Sequence, residues 1–273
     1  MKKSVLFFIL LVFMACQNSN PLLTEQQTPF GVPAFDQIKV EHYMPAFEAA
    51  IQANQAEIDA IINNPAAPTF ENTVEALDRT GELLDKVVGV FFNVLEADGN
   101  DEMNKIAEQV TPMLSALSDG IILNDKLFQR VKTVYEQKDD LNLNPEQMRL
   151  LTETYKQFAQ NGANLPEDQK KRLMEINQEL GLLSLQFGNN VVAETNAYQL
   201  FITDENELKG LPESAKAAAK EEATAAGRPD AWLFTPKRTS FTPVLQYCEN
   251  RELRKELLMA YTTRGNHDNE FDN

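Results

Sequence analysis

Residues 44–100 read MPAFEAAIQANQAEIDAIINNPAAPTFENTVEALDRTGELLDKVVGVFFNVLEADGN, and their spacing decides the fold. Met44, Phe47, Ile51, Ile58 and Ile61 recur at threes, fours and sevens, which is one face of a helix. Asn63-Asn64-Pro65 ends that helix, because proline cannot continue the backbone ladder. Thr69 then offers a side-chain oxygen as N-cap, with Glu71 in the positive first turn. A second stripe follows at Val74, Leu77, Leu84, Val88, Phe91 and Leu95, and Asp98-Gly99-Asn100 closes it. The pair predicts an antiparallel helical hairpin.

The same punctuation continues outward. A helix over 101–119 contains Pro112, where a kink is expected. Asn124 caps a helix to about Gln137. Asn144-Pro145 joins a cap to a proline at the first helical position, and that helix stops at Gly162. Leu165-Pro166-Glu167 opens the longest helix, with a stripe at Leu173, Ile176, Leu180, Leu183, Phe187 and Val191. Residues 197–203 and 231–235 alternate as strands and can pair with each other, with Trp232 anchoring them. An alanine-rich helix lies between them and is closed by Gly227. Helices over 242–249 and 250–263 follow. The class is mainly α: antiparallel helical hairpins and a long helix with one small β element. No fixed long repeat is present, which excludes a solenoid of identical units.

Composition narrows the chemistry. The 273 residues carry 41 acids against 25 bases, a formal net charge of -16. That excludes a nucleic-acid binder, which needs concentrated Lys and Arg. Two cysteines cannot make a disulfide scaffold or a four-cysteine zinc site. The two histidines, His42 and His267, are too far apart in sequence for H-E-x-x-H. There is no G-x-S-x-G, P-loop, G-x-G-x-x-G or C-x-x-C. Asp139-Asp140 and Glu221-Glu222 read as solvated charge. His42, at a helix start, reads as a hydrogen-bonded structural histidine. The site expectations are therefore no catalytic residue and no metal ligand within this chain.

The amino terminus reads as an address. Lys2 and Lys3 precede an apolar run over 5–15, too short for the about 20 residues that cross a bilayer as a helix. The run ends Met14-Ala15-Cys16, which resembles a bacterial lipoprotein cleavage box, so residues 1–15 are expected to be a signal peptide and Cys16 the lipid-attachment residue, the alternative being an ordinary secretory signal that happens to contain a cysteine. The expected location is exported, anchored to the bacterial membrane by lipid alone and facing the periplasm. An acidic body has no attraction of its own for anionic headgroups. Residues 16–34 are expected to be a flexible tether, and 35–273 one helical domain. Cys248, left without a partner in an oxidising compartment, reads as a buried apolar residue. The closing GNHDNEFDN has no apolar period and reads as a frayed tail or as a chain that stops in mid-protein.

Two blocks carry a resemblance. The first joins Glu41-His42-Tyr43-Met44-Pro45-Ala46-Phe47-Glu48 to Asn63-Asn64-Pro65-Ala66-Ala67-Pro68-Thr69-Phe70-Glu71-Asn72-Thr73. The second is Pro243-Val244-Leu245-Gln246-Tyr247-Cys248-Glu249-Asn250-Arg251-Glu252-Leu253-Arg254, continuing through Ala260-Tyr261-Thr262-Thr263-Arg264-Gly265-Asn266 to Asp272-Asn273. From about Phe35 to the last residue the chain resembles the zinc oligopeptidases of the thimet oligopeptidase and oligopeptidase A family. The match is strongest to the bacterial peptidyl-dipeptidase (dipeptidyl carboxypeptidase) branch.

The resemblance implies a two-lobed helical peptidase with a deep channel that admits short peptides. Zinc in the full-length enzyme is held by H-E-x-x-H and a downstream Glu, which no position here matches. The chain is thus expected to be the N-terminal portion of such an enzyme, without its catalytic domain, binding no zinc and inactive alone. If so, apolar side chains should be exposed, around the last helix, where the missing domain would pack. The competing expectation is a non-enzymatic helical lipoprotein acting as a peptide-binding or interaction module.

Overall fold

At the start of the first helix, α1 (Val40–Ile62), the Lys39 amide donates to His42 Nδ1 at 3.0 Å. His42 is thereby the hydrogen-bonded structural residue expected from sequence. The computed structural model describes residues 20–25 and 28–273. Cys16 and the expected signal peptide lie outside the described residues. The chain divides into two units, the second running Glu179–Asn273.

In the first unit, Thr69 caps the turn after α1. Its Oγ1 accepts from Asn72 N at 3.1 Å, and Asn72 Oδ1 accepts from Thr69 N at 2.9 Å, a reciprocal capping pair. The continuous helix expected to follow is interrupted. A π-helical stretch Phe70–Glu75 runs into a short α2 (Ala76–Asp78), and α3 (Glu82–Asp98) starts afresh. The break is made by Gly81 at φ 86, a left-handed value that favours glycine. Its amide donates to Glu57 Oε2 at 2.8 Å, and a Cβ there would sit 3.1 Å from Asn54. The apolar stripe survives the break, with Val74, Leu84 and Phe91 buried.

Four helices follow: α4 (Asp101–Ile122), α5 (Asp125–Glu136), α6 (Pro145–Gln160) and the start of α7 (Glu167–Ala197). Asn100, Asn124 and Asn144 each cap the next helix by accepting backbone N–H bonds. The first helix packs on α3 and α4, and α5 packs on α6. One core joins Tyr43, Phe47 and Phe91 edge to face, with centroids 4.9 and 5.2 Å apart. Another joins Ile58, Leu127, Val131 and Phe158.

Part of the expected tether is docked. Leu22 is wholly buried, Asn20 Nδ2 donates to His42 O at 2.7 Å, and Lys86 Nζ donates to Thr24 O at 2.9 Å. Residues 20–25 of that segment thus make packed and hydrogen-bonded contacts with the fold. Leu22, an apolar residue in an otherwise polar segment, has found a core site.

The second unit builds on an antiparallel pair, β1 (Leu200–Ile202) with β2 (Trp232–Phe234), in register Leu200 to Phe234 and Ile202 to Trp232. The alanine-rich helix α8 (Glu213–Ala225) packs on β2, and α9 (Arg238–Tyr247) packs on α10 (Arg251–Thr262). Helix α9 begins four residues before the Thr242 expected from sequence. Its core gathers Phe234, Phe241, Val244, Cys248 and Leu257. Cys248 is a free, buried thiol donating to Glu207 O at 3.3 Å, as its lack of a partner implied. Trp232 is half-buried, with Lys220 Nζ 4.1 Å from its ring centroid.

Candidate functional site

Helix α7 carries the feature that needs explaining. Residues 180, 183, 187 and 194 share one face, because steps of three, four and seven return to the same side of a helix. The two ends of that face meet different fates within the second unit.

At its C-terminal end, Glu194 is a buried acceptor for the end of the chain. Gly265 N donates to Glu194 Oε2 at 2.5 Å, the His267 ring Nδ1 lies 2.5 Å from Oε1, and Asn269 Nδ2 donates to Oε1 at 3.0 Å. Burial pushes the Glu194 carboxyl up, but these three partners outweigh it and hold it below the usual carboxylate range. Arg264 adds a second clamp. Its Nη1 donates to Thr195 Oγ1 at 2.9 Å, its Nε donates to Tyr261 O at 2.8 Å, and its guanidinium lies over the Tyr261 ring. The chain's last residue, Asn273, accepts from Asn190 Nδ2 at 2.9 Å through Oδ1 and donates its amide to Gly265 O at 3.0 Å. The frayed tail expected from its polarity is instead clasped. Its order comes from hydrogen bonds to residues more than 70 positions earlier, which no local pattern reveals.

One turn before Asn190 the face is open. Phe187 is 53% exposed, Leu183 54% and Leu180 58%. Leu182 and Val192, on the other side of the same helix, are exposed too. Three large apolar side chains in register on one helix are what a binding surface presents, whereas scattered exposed ones need no account. The exposed large apolar side chains of α10 are Leu258 and Met259 alone, so the open apolar face lies chiefly on α7 rather than around the last helix, where it was expected.

The residues singled out from sequence divide accordingly. His42 closes a helix start and His267 lies on Glu194. Among the described residues no group of three or more His, Cys, Asp and Glu side chains could hold a metal ion, and no helix is long and apolar enough to cross a membrane. Sequence reasoning missed Glu194, which sits in a helix rich in acids and carries no local mark of its role.

Comparison with curated proteins places these elements. The dipeptidyl carboxypeptidase of Salmonella typhimurium is 38% identical over 247 residues, which is 90% of this chain and 36% of that protein. The dipeptidyl carboxypeptidase of Escherichia coli is 37% identical over 245 residues, with the same shares. The chain is homologous to the dipeptidyl carboxypeptidases and oligopeptidases A of the thimet oligopeptidase family. Oligopeptidase A of Salmonella typhimurium aligns at 32% over 246 residues, 90% of the chain and 35% of that protein. This peptidase homologue spans about a third of the length of the curated relatives it matches. No protein-family profile matches it.

Proposed function

We propose that this chain is the N-terminal helical region of a zinc peptidyl-dipeptidase that releases C-terminal dipeptides from short peptides. In this reading the helices form one wall of a deep channel, and the catalytic zinc domain forms the other. The observation that carries it is the alignment with two dipeptidyl carboxypeptidases over 90% of the chain, at about a third of their length. The open face of α7 supports it from the structure. Leu180, Leu183 and Phe187 there are each about half exposed, as a surface that meets a further partner would be.

Within this proposal, the described residues do not fit zinc. His42 Nδ1 accepts the Lys39 amide, and His267 lies on Glu194 with no second histidine or cysteine beside it. Zinc, which in such enzymes activates a water for peptide hydrolysis, would be held by the remainder of the enzyme. What this chain would supply is a wall: apolar helical surface that excludes water and positions a peptide. Export and anchoring by lipid at Cys16 complete the reading, on the strength of Lys2, Lys3, the apolar run and Ala15-Cys16.

The test uses the purified chain and its locus. The chain alone should take up no stoichiometric zinc and leave a blocked tripeptide intact. The reading frame that encodes the enzyme should carry H-E-x-x-H after the segment matching Asn273. Stoichiometric zinc with turnover by these residues alone would overturn the assignment.

A further inference from the structure

Within the first unit, a cavity of about 540 Å3 opens between the C-terminal ends of α4 and α6 and the start of α7. Its size falls in the range of about 300–1,000 Å3 that small-molecule sites occupy. Ile122, Leu165 and Leu173 supply apolar lining. Five amide side chains also line it, Gln157 and Asn164 among them. Asp119 is the one charged residue that lines it, and it is 7% exposed.

The surroundings of that carboxylate are unusual. Asn177 Nδ2 donates to Asp119 Oδ1 at 2.7 Å, its one side-chain partner among the described residues. Among those residues no cation balances it. Lys170, the buried cation on the first turn of α7, is taken by Asp125, by Glu167 at 3.6 Å and by Leu123 O at 3.0 Å. A buried carboxylate without a counter-charge is costly, and the cost falls when a cation enters beside it. Lining by amides and leucines selects what kind of cation. Calcium takes six to eight oxygen ligands, several of them carboxylate, and zinc is held mostly by histidine and cysteine, none of which line this cavity. One carboxylate among amide donors and acceptors suits an organic ammonium whose body carries peptide-like groups.

We propose that this cavity binds a small organic cation, its primary ammonium paired with Asp119 and its body hydrogen-bonded by the surrounding amides. Asn177 orients the carboxylate by holding Oδ1, so that Oδ2 meets the ligand. The inference stands apart from the peptidase assignment, since it needs only the cavity and its uncompensated charge.

The test is calorimetric titration of the full chain with alanyl-alaninamide at neutral pH, where an α-amine is largely protonated. The control ligand is its N-acetylated counterpart. The expected result is one-to-one binding of the free amine, with the acetylated compound at least tenfold weaker. Asp119→Asn keeps the shape and removes the charge. It should weaken binding by about tenfold to a hundredfold, the range for a hydrogen bond to a charged group. Amide shifts in the unaltered protein give a readout that does not depend on the variant folding. They should move at Ser118, Asp119, Gly162 and Asn177. Equal binding of both compounds overturns the proposal, as does undiminished binding by a folded Asp119→Asn, perturbation elsewhere in the chain, or no binding below about 10 mM.

Discussion

Replacing Arg130 should loosen the turn that follows α1. Its guanidinium is buried and reaches back across the first unit. Nη1 donates to Asn64 O at 3.0 Å and to Ala66 O at 3.3 Å, while Nη2 donates to Asn72 Oδ1 at 3.1 Å. Nε is buried without a partner. Asn72 in turn donates to Ala67 O at 2.9 Å and completes the Thr69 cap. One arginine on α5 thus stitches down the turn that leads into the Thr69 cap. Hydrogen bonds to a charged group are each worth about 1.5–3 kcal/mol, so three at the weak end give about 4–5 kcal/mol. Removing the unpaired Nε–H returns about 1–3 kcal/mol. Arg130→Met keeps the apolar stem and should therefore cost about 2–3 kcal/mol, with Arg130→Lys costing less because it keeps the charge but loses the planar fork.

Hydrogen exchange is the better assay, because a chain of two units need not unfold in one step. At about 1.4 kcal/mol per decade, protection of the Asn72 amide should fall about thirty- to a hundredfold in Arg130→Met. Amides of the β1–β2 pair in the second unit should be unchanged, which separates a local effect from general damage. An Asn72 amide as well protected in Arg130→Met as in the parent would refute the reasoning, since the turn would then be held by its own capping pair alone.

Two further outcomes follow from α7. Glu194 has its carboxyl held below the ordinary value, so the clasp it makes is complete above the usual carboxylate range and is lost as pH falls through the lowered value. Protection of the Gly265 amide should track that loss in the parent protein. In Glu194→Gln, which offers one good acceptor to three donors, it should already be weak at pH 7; equal protection in the two at pH 7 would remove Glu194 from the clasp. On the open face, Leu183→Ser with Phe187→Ser should change stability by under about 1 kcal/mol in denaturant unfolding. A loss of several kcal/mol would mean that the two are core residues in solution.

The limits of sequence reading on this chain are physical. Asn124, Asn144-Pro145 and Gly162 were legible because a cap or a left-handed turn is a local requirement of the backbone. The break at Gly81 was not. The apolar period runs on through it, and the interruption depends on Glu57 and Asn54, contributed by a different helix. The clasped tail was hidden for the same reason at longer range: its polar run carries no apolar period, and its partner Glu194 looks like any other acid on a helix. The α7 stripe shows a third kind of limit. Period identified Leu180, Leu183 and Phe187 as a face, and correctly so, but a face is not a core until something covers it. Glu194, on that same face, is covered by Gly265 and Asn269, while Phe187 two turns earlier keeps about half its surface open. The two differ only in whether folded chain reaches them. On this face, chain reaches as far as Asn190, through Asn273, and the open apolar residues Phe187, Leu183 and Leu180 begin one turn beyond it.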